Sequence, residues 1–216
     1  MGTIISDDLI DEVGAILQDT GHAKWNVEDL RKWLNAGQRA IVAAKPTAYV
    51  VNDSVQLAAG TKQTLPAGSA LLMEVTRNMG TNGTTPGRVP SFVLREVIDR
   101  ENPNWHRATA KAEVEHFVYD AEKDPLHYYV YPPQPATGRG YLELIRSENP
   151  PEVGEGEPIA LDDSYANALH DYMLYRAYSV DAEYAREDGT ALTYLKSFVM
   201  QVTGKETGES ARKAAE

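Results

Sequence analysis

Apolar positions recur at two different periods along this chain, and the change of period divides it. Leu9, Ile10, Val13, Ile16 and Leu17 fall at helical spacing behind Ser6-Asp7-Asp8. This predicts a first helix capped by Ser6, with the two acids where the helix dipole favours them. Asp19-Thr20-Gly21 ends it. Asn26 and Asp29 then form a capping-box-like start, and Leu30, Trp33, Leu34, Gly37, Ile41 and Ala44 share one face of a second helix that Lys45-Pro46 stops.

From Tyr49 the period shortens. Tyr49-Val50-Val51 and Val55-Gln56-Leu57 read as two short strands or one bent strand, and Leu71–Val75 as another strand. Val114–Tyr119 and His127–Tyr131 are richer still in aromatic and β-branched residues, joined by a hairpin turn at Asp120–Pro125. Pro132-Pro133-Gln134-Pro135 is expected to end the second of these, and Tyr141–Ile145 to add a third antiparallel strand. Asn78–Pro90, rich in Gly, Thr, Asn and Pro, predicts an exposed loop, and Ser91–Asn102 either a strand followed by a helical turn or a short helix.

Helical spacing returns at Tyr165–Glu187, beginning at an Asp162 or Asp163 cap, and again from Ala191 to Val202, ended by Thr203-Gly204. The fold class is therefore α+β: a helical bundle built from residues 1–46 and 160–204, an inserted antiparallel β-rich lobe over 47–159 with its exposed loop near 78–90, and a polar tail, 205–216.

Tyr165–Glu187 departs from the ordinary pattern. Leu169, Tyr172, Met173, Arg176, Val180 and Tyr184 make one face, yet Leu174, Tyr175, Ala177 and Tyr178 fill much of the other. A surface helix normally shows one apolar stripe. This one is either central to a core or shared between subunits. Six of the twelve tyrosines fall between Tyr165 and Tyr194. Their polar tips and broad rings suit an interface, and burying them all in one core would demand many hydroxyl partners. The balance favours a shared surface.

Charge changes this picture in one respect. The 216 residues carry a net charge of −11, which argues against a surface that seeks phosphate. The acids concentrate in Glu148–Asp163, with six acids and no base, while Arg88–Lys111 leans basic. These are solvated surfaces or complementary patches that steer a neighbour. No cysteine is present, no apolar run approaches membrane-spanning length, and the first residues lack the basic and apolar segments of a signal peptide.

Candidate chemistry is sparse. The chain has no phosphate-cradling glycine loop and no nucleophile elbow. The five histidines show no metal-ligand spacing; His116 and His127 could face each other across neighbouring strands. Asp162, Asp163 and His170 could be assembled into a hydrolase only against their geometry, since His170 and Asp171 project about 100° apart on a helix. Trp105-His106-Arg107 could stack on a base, but a packed tryptophan is the plainer reading. Pro132–Pro135 could be a polyproline ligand or a strand terminus. No enzyme, cofactor or metal is expected.

Trp25, Leu30 and Trp33–Ile41, closing at Lys45-Pro46-Thr47-Ala48, resemble the opening of head-to-tail adaptor proteins of tailed bacteriophages. The likeness continues through Leu71–Gly80, Asn102–His106, Phe117–Asp120 and Tyr129–Pro133, and is strongest at Asp171–Tyr178 with Asp181–Tyr184. It spans about residues 5–204, leaving out the acidic loop Glu152–Pro158 and the tail. The resemblance implies a structural virion protein at the head–tail junction, made in the host cytoplasm. It implies a ring, commonly a dodecamer, beneath the portal protein, carrying a tail tube or nozzle protein. DNA would pass through without sequence-specific binding, and a net acidic lumen would let it slide. A transient assembly chaperone or other protein-binding module of the virion is the alternative. On this reading Tyr172, Tyr175, Arg176 and Tyr178 form the ring contact, Tyr175 and Tyr178 nearest the neighbour. Trp33, Asn35 and Gln38 organise the second helix, and Lys205, Arg212 and Lys213 pin the tail to the portal or an adjacent subunit.

Overall fold

The computed structural model describes residues 2–180 and 189–213, with side chains up to Gly204. The fold is α+β, divided into two units: Met1–Tyr49 with Pro150–Glu216, and Val50–Asn149.

In the first unit α1 (Ser6–Ile16), α2 (Val27–Ala44), α4 (Ala166–Val180) and α5 (Thr190–Lys213) surround one core. Asn26 caps α2, its side chain accepting from the Asp29 N–H at 2.8 Å and donating to the Asp29 carboxylate at 2.7 Å. The expected Ser6 cap does not form. Ile5 holds the cap position, and the buried Ser6 hydroxyl donates instead to the Gly154 carbonyl at 3.0 Å. Of the expected α1 stripe Ile16 alone is exposed, while Leu17, at the helix C-cap, still packs against the core.

Two sequence-based boundaries move. Residues 150–159, expected in the β lobe, belong to the helical unit: Ile159 and Leu161 enter its core, and Ile5 bridges to Pro158. The last helix does not stop at Thr203-Gly204; its backbone continues to Lys213, since glycine away from a cap only weakens a helix. The backbone of 205–213 is therefore helical, where a tail of irregular chain was expected.

The second unit holds two sheets. β1 (Val50–Gln56), β7 (Tyr141–Glu148) and β3 (Ser69–Asn78) form the first in the order β1-β7-β3, antiparallel throughout. β2 (Gly60–Thr64), β6 (His127–Gln134), β5 (His116–Tyr119) and β4 (Ser91–Phe92) form the second in the order β2-β6-β5-β4, with β4 parallel to β5. The lobe is thus mixed rather than purely antiparallel. Tyr141–Glu148 does not extend the β5–β6 hairpin; it is the central strand of the other sheet. Alternation along β7 explains this: Leu142 and Leu144 turn inward with Leu72 and Val75 to meet Tyr128 and Val130 of the second sheet. The opposite face of the second sheet is covered by α3 (Arg95–Glu101) and the turn Trp105–Arg107, through Ile98, Trp105 and Val118.

β6 runs on through Pro132 to Gln134, past the expected stop, with the Tyr131–Pro132 peptide cis. The proline run is therefore neither a terminating loop nor a free polyproline ligand. His116 lies opposite Tyr131, while Tyr119 meets Tyr128, so His116 and His127 sit at opposite ends of the hairpin and do not face each other. Trp105 is fully buried, donates to the Asp99 carboxylate at 2.7 Å and is covered by the His106 ring at 3.8 Å, which leaves no face open for a base.

Asn78 holds the base of the loop that follows β3. Its amide donates to the carbonyls of Arg88 and Val114 and accepts from the Val114 N–H, each at 2.8 Å. At the tip, Asn82 accepts from the N–H groups of Thr84 and Thr85.

Candidate functional site

α4 packs against α5, α2 and α1 at once. That central position accounts for most of its two-faced pattern. Leu169, Met173, Leu174 and Ala177 are all fully buried, although Leu174 and Ala177 fall on what the spacing alone makes the second face.

The tyrosines divide. Tyr172 lies against Gly37 and meets the Phe198 ring at 5.1 Å. Tyr178 stacks on Tyr194 with ring centroids 5.6 Å apart and planes 2° from parallel. Both rings thus have contacts within their own chain. Tyr175 touches Tyr172 edge-on at 5.9 Å and stays outside the core cluster. Arg176 is half-buried, and among the described residues no carboxylate pairs with it. Val180, one turn further, is 58% exposed. Tyr175, Arg176 and Val180 therefore make the margin of α4 that the described residues leave open. Asp181–Glu187, including Tyr184, lie outside the described residues.

α5 is tied to α4 by polar contacts as well. One Asp171 oxygen accepts from the Ser197 hydroxyl and from the Gln201 amide, the latter at 2.6 Å. Away from α4, α5 exposes Leu192, Val199 and Met200 at 57%, 47% and 71%. Lys205, Arg212 and Lys213 are on its helical extension, and their side chains lie outside the described residues.

The polar residues of α2 join that helix to the incoming acidic loop. Asn35 donates to the Val153 carbonyl at 3.2 Å and accepts from the Val153 N–H at 2.9 Å, while its oxygen also receives the Gln38 amide at 3.1 Å. Gln38 accepts from the Ala160 N–H at 2.8 Å. Both side chains are buried, so every backbone group they satisfy would otherwise be stranded. Trp33 instead packs at the edge of the core, its ring 5.6 Å from Trp25.

The acids before α4 are structural in their contacts. Asp162 caps the turn by accepting from the Ser164 N–H at 3.0 Å. Asp163 receives the Thr3 N–H and hydroxyl, each at 2.6 Å, and the Ile4 N–H at 3.1 Å. The Thr3 hydrogen bonds hold the Asp163 carboxyl below its ordinary value of 3.8. Sequence reasoning assigned Asp163 to the helix start and missed this long-range partner. Nothing in local spacing marks Thr3. His170 lies 3.8 Å from Asp171 rather than beside Asp163. A groove of about 550 Å³ runs between α1 and the start of α4, lined by Ile4, Asp8, Leu9, Glu12, Ala166 and His170 among others.

Among the described residues no cluster of three potential ligands could hold a metal ion, and no helix is long and apolar enough to cross a membrane. No curated protein matches the chain. The model of the SU10 adaptor protein family matches residues 6–213, a span that takes in both the acidic loop and most of the tail left outside the initial resemblance. With α2, the acidic loop, α4 and α5 all inside that match, the chain belongs to the SU10 adaptor family of phage head-to-tail adaptor proteins.

Proposed function

We propose that this protein is the structural head-to-tail adaptor of a tailed phage virion, assembled as a ring of twelve copies beneath the portal. The ring extends the DNA channel and carries the tail tube or nozzle protein. The observation that carries this reading is the match to the SU10 adaptor family over residues 6–213. The Asp162, Asp163 and His170 contacts described above support a structural role for those residues. A net charge of −11 suits a conduit that must not hold phosphate through counterion release.

On this reading Tyr172 and Tyr178 stiffen the α4–α5 pair, while Tyr175 and Arg176 face the next copy. Lys205, Arg212 and Lys213 are proposed to dock on the portal or an adjacent subunit. The test is to mix the purified full chain with purified portal rings and image the product by electron microscopy. A twelve-fold ring seated on the portal is expected. A chain that stays monomeric with portal present would contradict the proposal, and its absence from finished particles would favour a transient chaperone instead.

A further inference from the structure

The geometry points to a specific contact between neighbouring copies: we infer that the Arg176–Val180 margin of α4 docks into the α1–α4 groove of a second copy, with the Arg176 guanidinium set against Asp8 and Glu12. This rests on the ring-adaptor reading and deepens it.

The groove has apolar walls from Ile4, Leu9 and Ala166 and carries two carboxylates one helical turn apart, Asp8 and Glu12. Like charges at that spacing repel on a helix surface. The helix dipole accounts for an acid in the first turn of α1, where Asp8 stands, but its influence fades before the position of Glu12. Asp7, the neighbouring first-turn acid, already has its cation in Arg31 at 2.6 Å. Among the described residues neither Asp8 nor Glu12 has one.

Arg176 presents the opposite deficit. Its guanidinium remains charged at any working pH, and half-burying it with no anion among the described residues is unfavourable. Its planar fork matches a pair of carboxylates. Val180 on the same side of the helix brings an exposed apolar contact for the groove walls.

The same chain cannot join these two patches. Arg176 follows His170, which lines the groove, by six residues, and six residues turn an α-helix by roughly 120° net while advancing about 9 Å. Arg176 also stands roughly 15 Å along the axis from Ala166, so the margin and the groove lie at different levels of one rigid helix. Two complementary patches at different places on the same chain give a heterologous contact, the kind that closes into rings. A second copy supplies Arg176 at the same geometry at every joint, which an unrelated basic partner would not.

The test uses full-length chain and purified portal rings, with two charge-reversed variants: Arg176→Glu, and Asp8→Lys with Glu12→Lys. Thermal melts confirm that each is folded; Arg176→Gln replaces Arg176→Glu if the latter is not. Each variant alone is expected to lose ring formation on the portal at least tenfold. An equimolar mixture of the two reversed variants is expected to recover it, because each reversed margin then meets a reversed groove in alternation. Unchanged assembly by the single variants would overturn the contact while leaving the adaptor reading intact. Loss without recovery in the mixture would also overturn it, assigning the groove to the portal or another partner. Failure of the unaltered chain to join the portal would instead defeat the adaptor reading itself.

Discussion

Gly37 of α2 and Tyr172 of α4 pack so closely that a Cβ on residue 37 would stand 3.0 Å from the Tyr172 ring and 3.2 Å from Leu169. The glycine lets two helix backbones approach and gives the tyrosine ring a flat seat. Gly37→Val therefore adds volume where the core has none to give. Glycine-to-valine recovers a few tenths of a kcal/mol of helix propensity, but overpacking costs about 1–3 kcal/mol. A lowered denaturant midpoint with an unchanged slope is expected. A midpoint equal to or above that of the unaltered chain would show that the α2–α4 seat is looser than described.

Gln38 is the second test of the α2 surface. Gln38→Leu keeps the volume but strands the Ala160 N–H, and it takes one donor from Asn35. A stranded buried backbone group costs about 1–3 kcal/mol. Urea unfolding should show a loss of that order. Asn35→Leu strands both polar groups of Val153 and should cost more.

Arg146 ties all three strands of the first sheet. From β7 it donates to Asp53 of β1, to Ser69 of β3 at 2.9 Å, and to Glu148 at 2.9 Å, while itself only 5% exposed. Arg146→Ala leaves the two carboxylates without their cation. Both are partly exposed and can take up water. The loss should therefore be about 2–3 kcal/mol, below the ~3–5 kcal/mol of a wholly buried pair. Thermal melts of Arg146→Ala and Arg146→Met should separate lost charge from lost packing, the methionine variant being the more stable.

Asp163 gives a pH dependence whose sign follows from its hydrogen bonds. Its folded value lies below the ordinary 3.8, so its contribution is fully present above that value. It is lost as the pH falls through the lower folded value. Thr3 and Ile4 should then be released. The protection factors of these two amides, the intrinsic exchange rate divided by the observed rate at each pH, should hold from pH 6 downward and then fall in a step below about pH 4, where an unperturbed aspartate begins to take up its proton. In Asp163→Asn the exchange should be fast already at pH 6 and show no such step.

The helical part of the fold was legible where one face alone is buried. Asn26, Leu30, Leu34 and Ile41 announce α2 by cap and spacing, and the structure places them accordingly. The β part was legible strand by strand but not in its pairing. Leu142 and Leu144 mark β7 as half-buried, yet alternation does not say which neighbours it takes. β2 escaped notice because Gly60–Thr64 is polar throughout and buries only Gln63. In the candidate site, the crowding of apolar side chains around α4 was visible, but its cause was not. Only the placement of α5 shows that Leu174 and Ala177 face the same chain. Asn35 and Gln38 stood out as amides beside an apolar stripe, while their partners Val153 and Ala160, more than a hundred residues away, carry no local signal.

The chain's order in time has its own consequence. Leu30, Leu34 and Ile41 of α2 share their core with Leu169 and Met173 of α4. Between Ala44 and Ala166 lies the whole β unit, 122 positions on by subtraction. At synthesis rates of about 5–20 residues per second, that interval lasts roughly 6–24 s. Throughout it α1 and α2 are finished but lack the helix that covers them, and Val50–Asn149 is completed before α4 begins. The nascent adaptor thus carries an open apolar face until α4 emerges, and that waiting period, rather than the finished molecule's stability, is where its production is most vulnerable.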